Sequence, residues 1–240
     1  MKPIRIVAIS DTHGQHRDIK DLPEADAIIH AGDISSVGRK NEVEDFLDWF
    51  SKLPYQHRVF AAGNHDFFFD YDWKAATVMG KARFEGKYAG IYKQEDVEST
   101  LAKFPEITYL NDSGIDIGGI KIWGSPITPL FHDWAFNRAR GEEIKKHWDL
   151  IPADTDILVT HGPVYKILDM TQEGDYTGCE DLLTKILETK VRVHICGHIH
   201  EANGIYETGD GRKFINASVL NRGYRLVNKP VVFEFNKDNK

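Results

Sequence analysis

Short apolar runs recur along the chain, and five of them stop at a polar or glycine-containing turn. They are IRIVAIS, ending at Asp11-Thr12-His13; DAIIHAG, ending at Asp33; HRVFAAG, ending at Asn64-His65-Asp66; DILVT, ending at His161-Gly162; and VRVHICG, ending at His198. Helical stripes lie between them. Val43, Phe46, Leu47 and Phe50 recur at i, i+3, i+4 and i+7, and Leu182, Leu183, Ile186 and Leu187 form a similar stripe. Strands alternating with helices predict an α/β sheet. ITYLNDSGIDIGGIKIWG and GIYETGDGRKFINAS read instead as short strands joined by glycine turns, so antiparallel hairpins accompany the α/β units. The expected fold is a mixed two-sheet sandwich with helices outside. A stretch rich in aromatics and charge predicts an insertion at about residues 67–104, with a helix around Val97, Leu101 and Phe104. It is either a lid over a site or a plain surface excursion.

Composition narrows this picture. A chain of 240 residues, 41% hydrophobic, suits one domain spanning residues 1–240. The formal net charge of -7 and the lack of a dense basic run argue against a duplex nucleic-acid partner. Cys179 and Cys196 are too few for a disulfide framework, which points to a reducing compartment. No stretch reaches the length of a membrane span, and MKPIRIVAIS runs directly into a strand, so the cytoplasm is the expected location with no membrane partner. Asn216-Ala217-Ser218 matches a glycosylation sequon without functional meaning in that setting.

In open α/β sheets ligands sit beyond the carboxyl ends of the strands, where all five polar endings fall. GHIHEANG adds His198 and His200, which project to one side if the chain is extended there. Asp11, His13, Asp33, Asn64, His161, His198 and His200 offer carboxylate, imidazole and amide oxygen donors. That mixture suits first-row transition ions such as Mn, Fe, Co, Ni or Zn better than Ca. Seven such residues suggest two ions.

Asp11-x-His13, Gly32-Asp33, Gly63-Asn64-His65-Asp66, His161-Gly162 and Gly197-His198-x-His200 resemble, in order and spacing, the five motifs of the calcineurin-like metallophosphoesterases. Within that superfamily the chain is similar to the metallophosphoesterase-domain-containing (MPPED) proteins through LPYQHRVFAAGNHDFFFD, KIWGSPITPLFHDWAFN, IPADTDILVTHGP, GCEDLL, GHIHEANG and INAS. The likeness covers about residues 4 to 235 and departs between roughly Tyr71 and Lys103. It implies a four-layer β-sandwich, two mixed sheets flanked by helices, around a di-metal centre that hydrolyses phosphoesters, typically diesters or nucleotide-like substrates. Carried over, Asp11, His13, Asp33 and His200 hold one ion; Asp33, Asn64, His161 and His198 hold the other. A metal-bridging hydroxide would attack phosphorus, with Mn the favoured metal, and His65 would protonate the leaving oxygen as general acid.

Other residues carry open readings. His30 and His194 sit inside strands and read as core histidines, while His57, His132 and His147 read as surface. His16 and Gly162 are candidate substrate contacts. Trp134, Phe136 and Asn137 either hold a nucleobase or pack into the core. For Asp66 a structural hydrogen bond is preferred. The second motif, GDISSVG, lacks the second Asp and the Arg of the protein Ser/Thr phosphatase form GDxxDRG, and Ser36 stands where purple acid phosphatases place a Tyr ligand. The favoured function is a phosphodiesterase acting on small cyclic or linear nucleotide-like diesters. A non-catalytic scaffold and a nuclease are the alternatives.

Overall fold

The computed structural model describes residues 3–71 and 92–238. In chain order the strands are β1 (Ile4–Ile9), β2 (Ala27–Ala31), β3 (His57–Ala61), β4 (Ile107–Leu110), β5 (Ser113–Ile117), β6 (Ile120–Ser125), β7 (Thr128–Pro129), β8 (Asn137–Arg138), β9 (Ile157–Thr160), β10 (Val193–Cys196), β11 (Gly204–Glu207), β12 (Lys213–Asn216) and β13 (Val231–Phe235). The helices are α1 (Lys40–Ser51), α2 (Gln94–Leu101), α3 (Glu142–Trp148) and α4 (Glu180–Glu188). One sheet has the order β13-β1-β2-β3-β4 and the other β11-β12-β10-β9-β6-β5. Both are mixed. Parallel pairs form each centre, with β13 antiparallel to β1, β11 antiparallel to β12 and β5 antiparallel to β6.

Side-chain alternation explains the layering. Ile4, Ile6 and Ala8 of β1, with Ala27, Ile29 and Ala31 of β2, join Ile122, Ile157, Val159 and Ile195 of the other sheet in one buried cluster. The intervening residues Val7, Ile9 and Ile28 point the opposite way, into a cluster with Val43, Phe46 and Phe50 of α1. Phe60 of β3 meets Phe46 edge to face at 5.8 Å. On the second sheet Leu158 and Phe214 belong to the cluster that holds Trp148, Leu182 and Ile186 from α3 and α4. Strands buried on both faces need apolar residues at every position. This is why the sequence runs read as continuous rather than alternating.

The five predicted strands form within a residue or two of their expected bounds. The hairpin reading holds for β5–β6, whose Gly118-Gly119 turn has both φ positive (59° and 86°), and for β11–β12. It fails for ITYL. β4 pairs parallel with β3 in the first sheet, and the link at Asn111-Asp112 crosses to the second. The expected helix near Val97 is α2, while residues 72–91 of the expected insertion lie outside the described residues. Among the described residues no helix is long and apolar enough to cross a membrane.

Phe46 is fully buried in the aromatic layer under α1. Phe46→Ala is expected to cost about 3–5 kcal/mol through lost transfer energy and a cavity. Exposed Lys52→Ala should stay within about 0.5 kcal/mol. Denaturant unfolding of the two variants measures the contrast.

Candidate metal centre

The carboxyl ends of β1, β2, β3, β9 and β10 deliver the site. Asp11, His13 and His200 form one donor group, His13, Asp33 and His65 a second, and Asp33, His161 and His198 a third, with ligand atoms in each within 4.8 Å of one another. Asn64 joins the third through its Oδ1, 2.9 Å from His161 Nε2. The structure therefore brings all seven sequence candidates and His65 to one place. Asp33 belongs to two of the groups.

The local backbone is unusual. Asp11, His13, Asp33 and His198 have φ of 55°, 41°, 56° and 69°, in the left-handed region that side-chain-bearing residues seldom adopt. These values correct the extended reading of GHIH. β10 stops at Cys196, His198 turns left-handed, and His200 opens a short 3-10 turn. The two imidazoles consequently enter different donor groups. Carboxylates lock the turns: both oxygens of Asp11 accept from the His198 amide at 3.1 Å, and Asp33 Oδ1 accepts from the His65 amide at 2.8 Å. Glycines make room for these contacts. A Cβ on Gly197 would collide with the Asp11 and Ser10 side chains, and one on Gly63 with the Asp33 carboxylate.

Backbone carbonyls set the histidine tautomers. His161 Nδ1 donates to Ala31 O (2.9 Å), His200 Nδ1 to Asn221 O (3.1 Å) and His65 Nδ1 to Ser36 O (2.7 Å). In the neutral imidazoles this leaves Nε2 as a lone pair. His161 Nε2 then faces the Asp33 carboxylate at 3.3 Å, and His200 Nε2 faces Asp11 Oδ1 at 3.2 Å.

A match to the family described as Calcineurin-like phosphoesterase covers residues 4–202. The chain belongs to the calcineurin-like phosphoesterase family. Metallophosphoesterase domain-containing protein 1 of Homo sapiens is 36% identical over 232 residues, covering 96% of this chain and 70% of that protein. A UPF0046 protein of Caenorhabditis elegans is 35% identical over 231 residues, covering 96% and 74%. In fold, the phosphopantetheinyl hydrolase PptH of Mycobacterium tuberculosis superposes with a TM-score of 0.59 at 15% identity, over 98% of this chain and 96% of that one. Membership makes the protein a hydrolase of phosphoester bonds with a metal-binding site.

The phosphoesterase's own residues fit divalent cations. Donor lone pairs and carboxylates converge here, and the described ion-pair partners of Asp11 and Asp33 are histidines only. Without a cation these groups are balanced by protons. Burial would push His161 and His200 down, but Asp33 beside the first and Asp11 beside the second raise both to about 9. Burial would likewise raise the two carboxylates, and the same histidines hold them below the usual carboxylate range. His13 and His198 are pushed down by burial, to about 4 and about 3, and so present neutral nitrogens. Divalent ions at these positions would replace the protons with charge that the donors already face.

The substrate-contact candidates divide. Trp134 lines the cleft, with its ring stacked on His65 at 4.3 Å. His16 does not face it: the ring is buried against Phe46 and Trp49, and Nε2 meets Asp45 Oδ2 at 3.1 Å. Phe136 is a buried core residue. Asn137 braces the 128–137 loop, with Nδ2 donating to Phe131 O (2.9 Å) and Oδ1 accepting from Thr128 Oγ1 (3.0 Å). Gly162 borders a neighbouring cleft. Asp66 is structural, as expected; its buried carboxylate accepts from Ile34, Ser35 and Gly63 amides and from Ser35 Oγ. His30 and His194 are buried and bonded to Thr12 and Thr160 hydroxyls. His147 is less exposed than its reading, its Nδ1 meeting Asp112 Oδ2 at 2.6 Å.

Three features escaped the sequence reading. Arg222 and Tyr224 line the cleft, and the Tyr224 ring meets His13 at 4.9 Å and His200 at 5.2 Å. Asn216 is fully buried, its Nδ2 donating to Ile199 O at 2.9 Å and Gly197 O at 3.4 Å, so it positions the GHIH turn. The INAS motif contained that signal, and the burial of Asn216 removes the sequon from glycosylation in the folded protein.

His198→Ala or His200→Ala is expected to weaken Mn2+ binding by at least about 10-fold. His194→Ala should lower stability while metal affinity stays put. Calorimetric Mn2+ titration of the three variants, with unfolding curves for each, reads both quantities. Gly197→Ala should behave as an overpacked site, costing about 1–3 kcal/mol and weakening metal binding through Asp11.

Proposed function

We propose that the protein is a di-metal-dependent phosphodiesterase acting on small nucleotide-like or cyclic nucleotide diesters. The observation carrying this reading is that Asp33 shares one donor group with His13 and another with His161 and His198, while His13 also joins Asp11 and His200. In the proposed arrangement Asp11, His13, Asp33 and His200 hold one ion, while Asp33, Asn64, His161 and His198 hold the other. When bound, the ions would supply positive charge for the phosphate and lower the pKa of a water they hold. Mn is the proposed metal, on the preference of mixed O/N donors for first-row ions.

The reaction adds water across one P–O bond, giving a monoester and an alcohol. Water oxygen joins phosphorus, the leaving oxygen takes a proton, and a proton returns to solvent in balance. His65 is the proposed proton donor. Its Nδ1 is held by the Ser36 carbonyl, which leaves Nε2 for the transfer, and Trp134 and His13 against the ring hold its plane. The cleft of about 250 Å³ that His65 and Trp134 line suits a small substrate rather than a duplex. Cys179 and Cys196 are both free and buried, in keeping with the reducing cytoplasm we infer as the location.

Elemental analysis of protein reconstituted with excess Mn2+ should find two ions per chain, and one or none would refute the di-metal reading. His65→Asn should retain them. General-acid help is worth about 10²–10⁴-fold for an alkoxide that must leave protonated and far less for nitrophenolate. The variant's kcat is therefore expected to collapse on a nucleotide diester and to survive largely on bis-nitrophenyl phosphate. Equal losses on both substrates would reject His65 as the acid.

A further inference from the structure

A second cleft, of about 260 Å³, lies beside the metal centre and shares Phe131, His198 and Ile199 with the first. His198 thus borders both. The two differ in chemistry. Glu201 and Arg222 line the first, with Asp33 and the rings of Trp134 and Tyr224; in the second the only Asp, Glu, Lys or Arg among the described lining residues is Arg140. Leu130, Phe131 and Tyr176 bound the second cleft while remaining 51%, 58% and 47% exposed. Apolar side chains of this size gain from being covered, so three of them left in water around one cleft suit it to an apolar ligand.

The walls are built without any ligand. Leu130 N donates to Arg138 O at 2.8 Å, and Asn137 Nδ2 donates to the carbonyls of Phe131 and His132 at 2.9 and 3.2 Å. Opposite, Arg140 donates to the carbonyls of Gly178 and Thr177, each at 2.7 Å. Asp169 Oδ2 accepts from the Lys166 and Gly178 amides at 2.9 Å. These bonds fix the loops carrying Phe131 and Tyr176 before anything binds, which lowers the ordering cost of association.

We propose that, in a linear diester, this cleft seats the ester group that stays on phosphorus, and that this group is uncharged and carries an aromatic ring. The inference rests on the phosphodiesterase reading. A diester has two ester oxygens, and in-line displacement expels the one opposite the attacking water. His65 lines the first cleft, so the leaving oxygen faces that side. The retained group then extends past His198 into the second cleft, where Phe131 and Tyr176 supply two aromatic rings and no carboxylate competes. The product from a linear diester is accordingly a phosphate monoester whose remaining group bears an aromatic ring.

The test uses the full chain loaded with Mn2+. Binding of phenyl phosphate and methyl phosphate is measured by calorimetry, and hydrolysis is measured for nitrophenyl diesters whose retained ester is phenyl or methyl. Phenyl phosphate should bind about 10-fold more tightly, and the phenyl diester should show a similar advantage in kcat/KM, in line with the burial of one aromatic ring. Tyr176→Ala, and separately Leu130→Ser, should cut that advantage to about 3-fold or less with metal content retained, while Tyr176→Phe keeps it. Equal binding of the two monoesters, with both diesters cleaved, overturns the cleft's role and leaves the phosphodiesterase reading intact. So does a phenyl preference that survives both Tyr176→Ala and Leu130→Ser. Hydrolysis of neither diester by the metal-loaded chain overturns the phosphodiesterase reading, and the retained-group role falls with it.

Discussion

Buried carboxylates that accept backbone amides from other strands' turns hold this site in shape. Asp11 takes the His198 amide, Asp33 the His65 amide, and Asp66 the amides of Ile34, Ser35 and Gly63. Hydrogen bonds to charged acceptors contribute about 1.5–3 kcal/mol each, about twice a neutral bond. Apart from the Gly63 bond, which closes Asp66's own turn, each of these links residues far apart in sequence, so the turns are set against one another rather than by their own strands. Two of the three carboxylates are also candidate ligands. The groups that would face the metal therefore fix the geometry around it, and site formation and tertiary structure become one event.

The sheets add a second constraint. Parallel strands in both sheets point their carboxyl ends to one edge, and a parallel bridge between Ser10 and Ser218 joins the sheets there. His161 leaves β9 of the second sheet but donates to Ala31 O of β2 in the first. That bond crosses the sandwich. It gives one imidazole its tautomer through the position of a whole sheet, which ties donor chemistry to how the two sheets stack.

How much of this was legible depended on range. Strand ends were legible because apolar runs stopping at Asp, His or Asn are rare enough to signal both an element and its chemistry. β4 was not, because ITYL has the same local character whether it pairs with the following hairpin or with β3. His16 was misread because nearness in sequence to Asp11 and His13 does not decide which way a ring turns, and Asp45 on α1 claimed it. Phe136 and Asn137 sit near Trp134 in the chain, yet a φ of 60° at Phe136 sends that side chain into the core. Tyr224 acts only through a loop folded over the GHIH turn, where no local pattern announces such a role, whereas Asn216 ends β12 within the INAS motif, whose signal went unread.

The left-handed turns at Asp11, His13, Asp33 and His198 bear on how such a chain changes over generations. Each holds a conformation that costs on the order of 1–3 kcal/mol for a residue with a side chain, and that Gly adopts with far less strain. At Asp11 and Asp33 the bonds to the His198 and His65 amides offset that strain, so folding itself favours keeping those two carboxylates. A lineage released from hydrolysis would therefore shed His13 or His198 before either carboxylate, since relief of the left-handed strain is not set against a lost bond to a turn amide there. The two histidines and the two carboxylates of these turns thus answer to different pressures, the first pair to chemistry and the second to chemistry and the fold together.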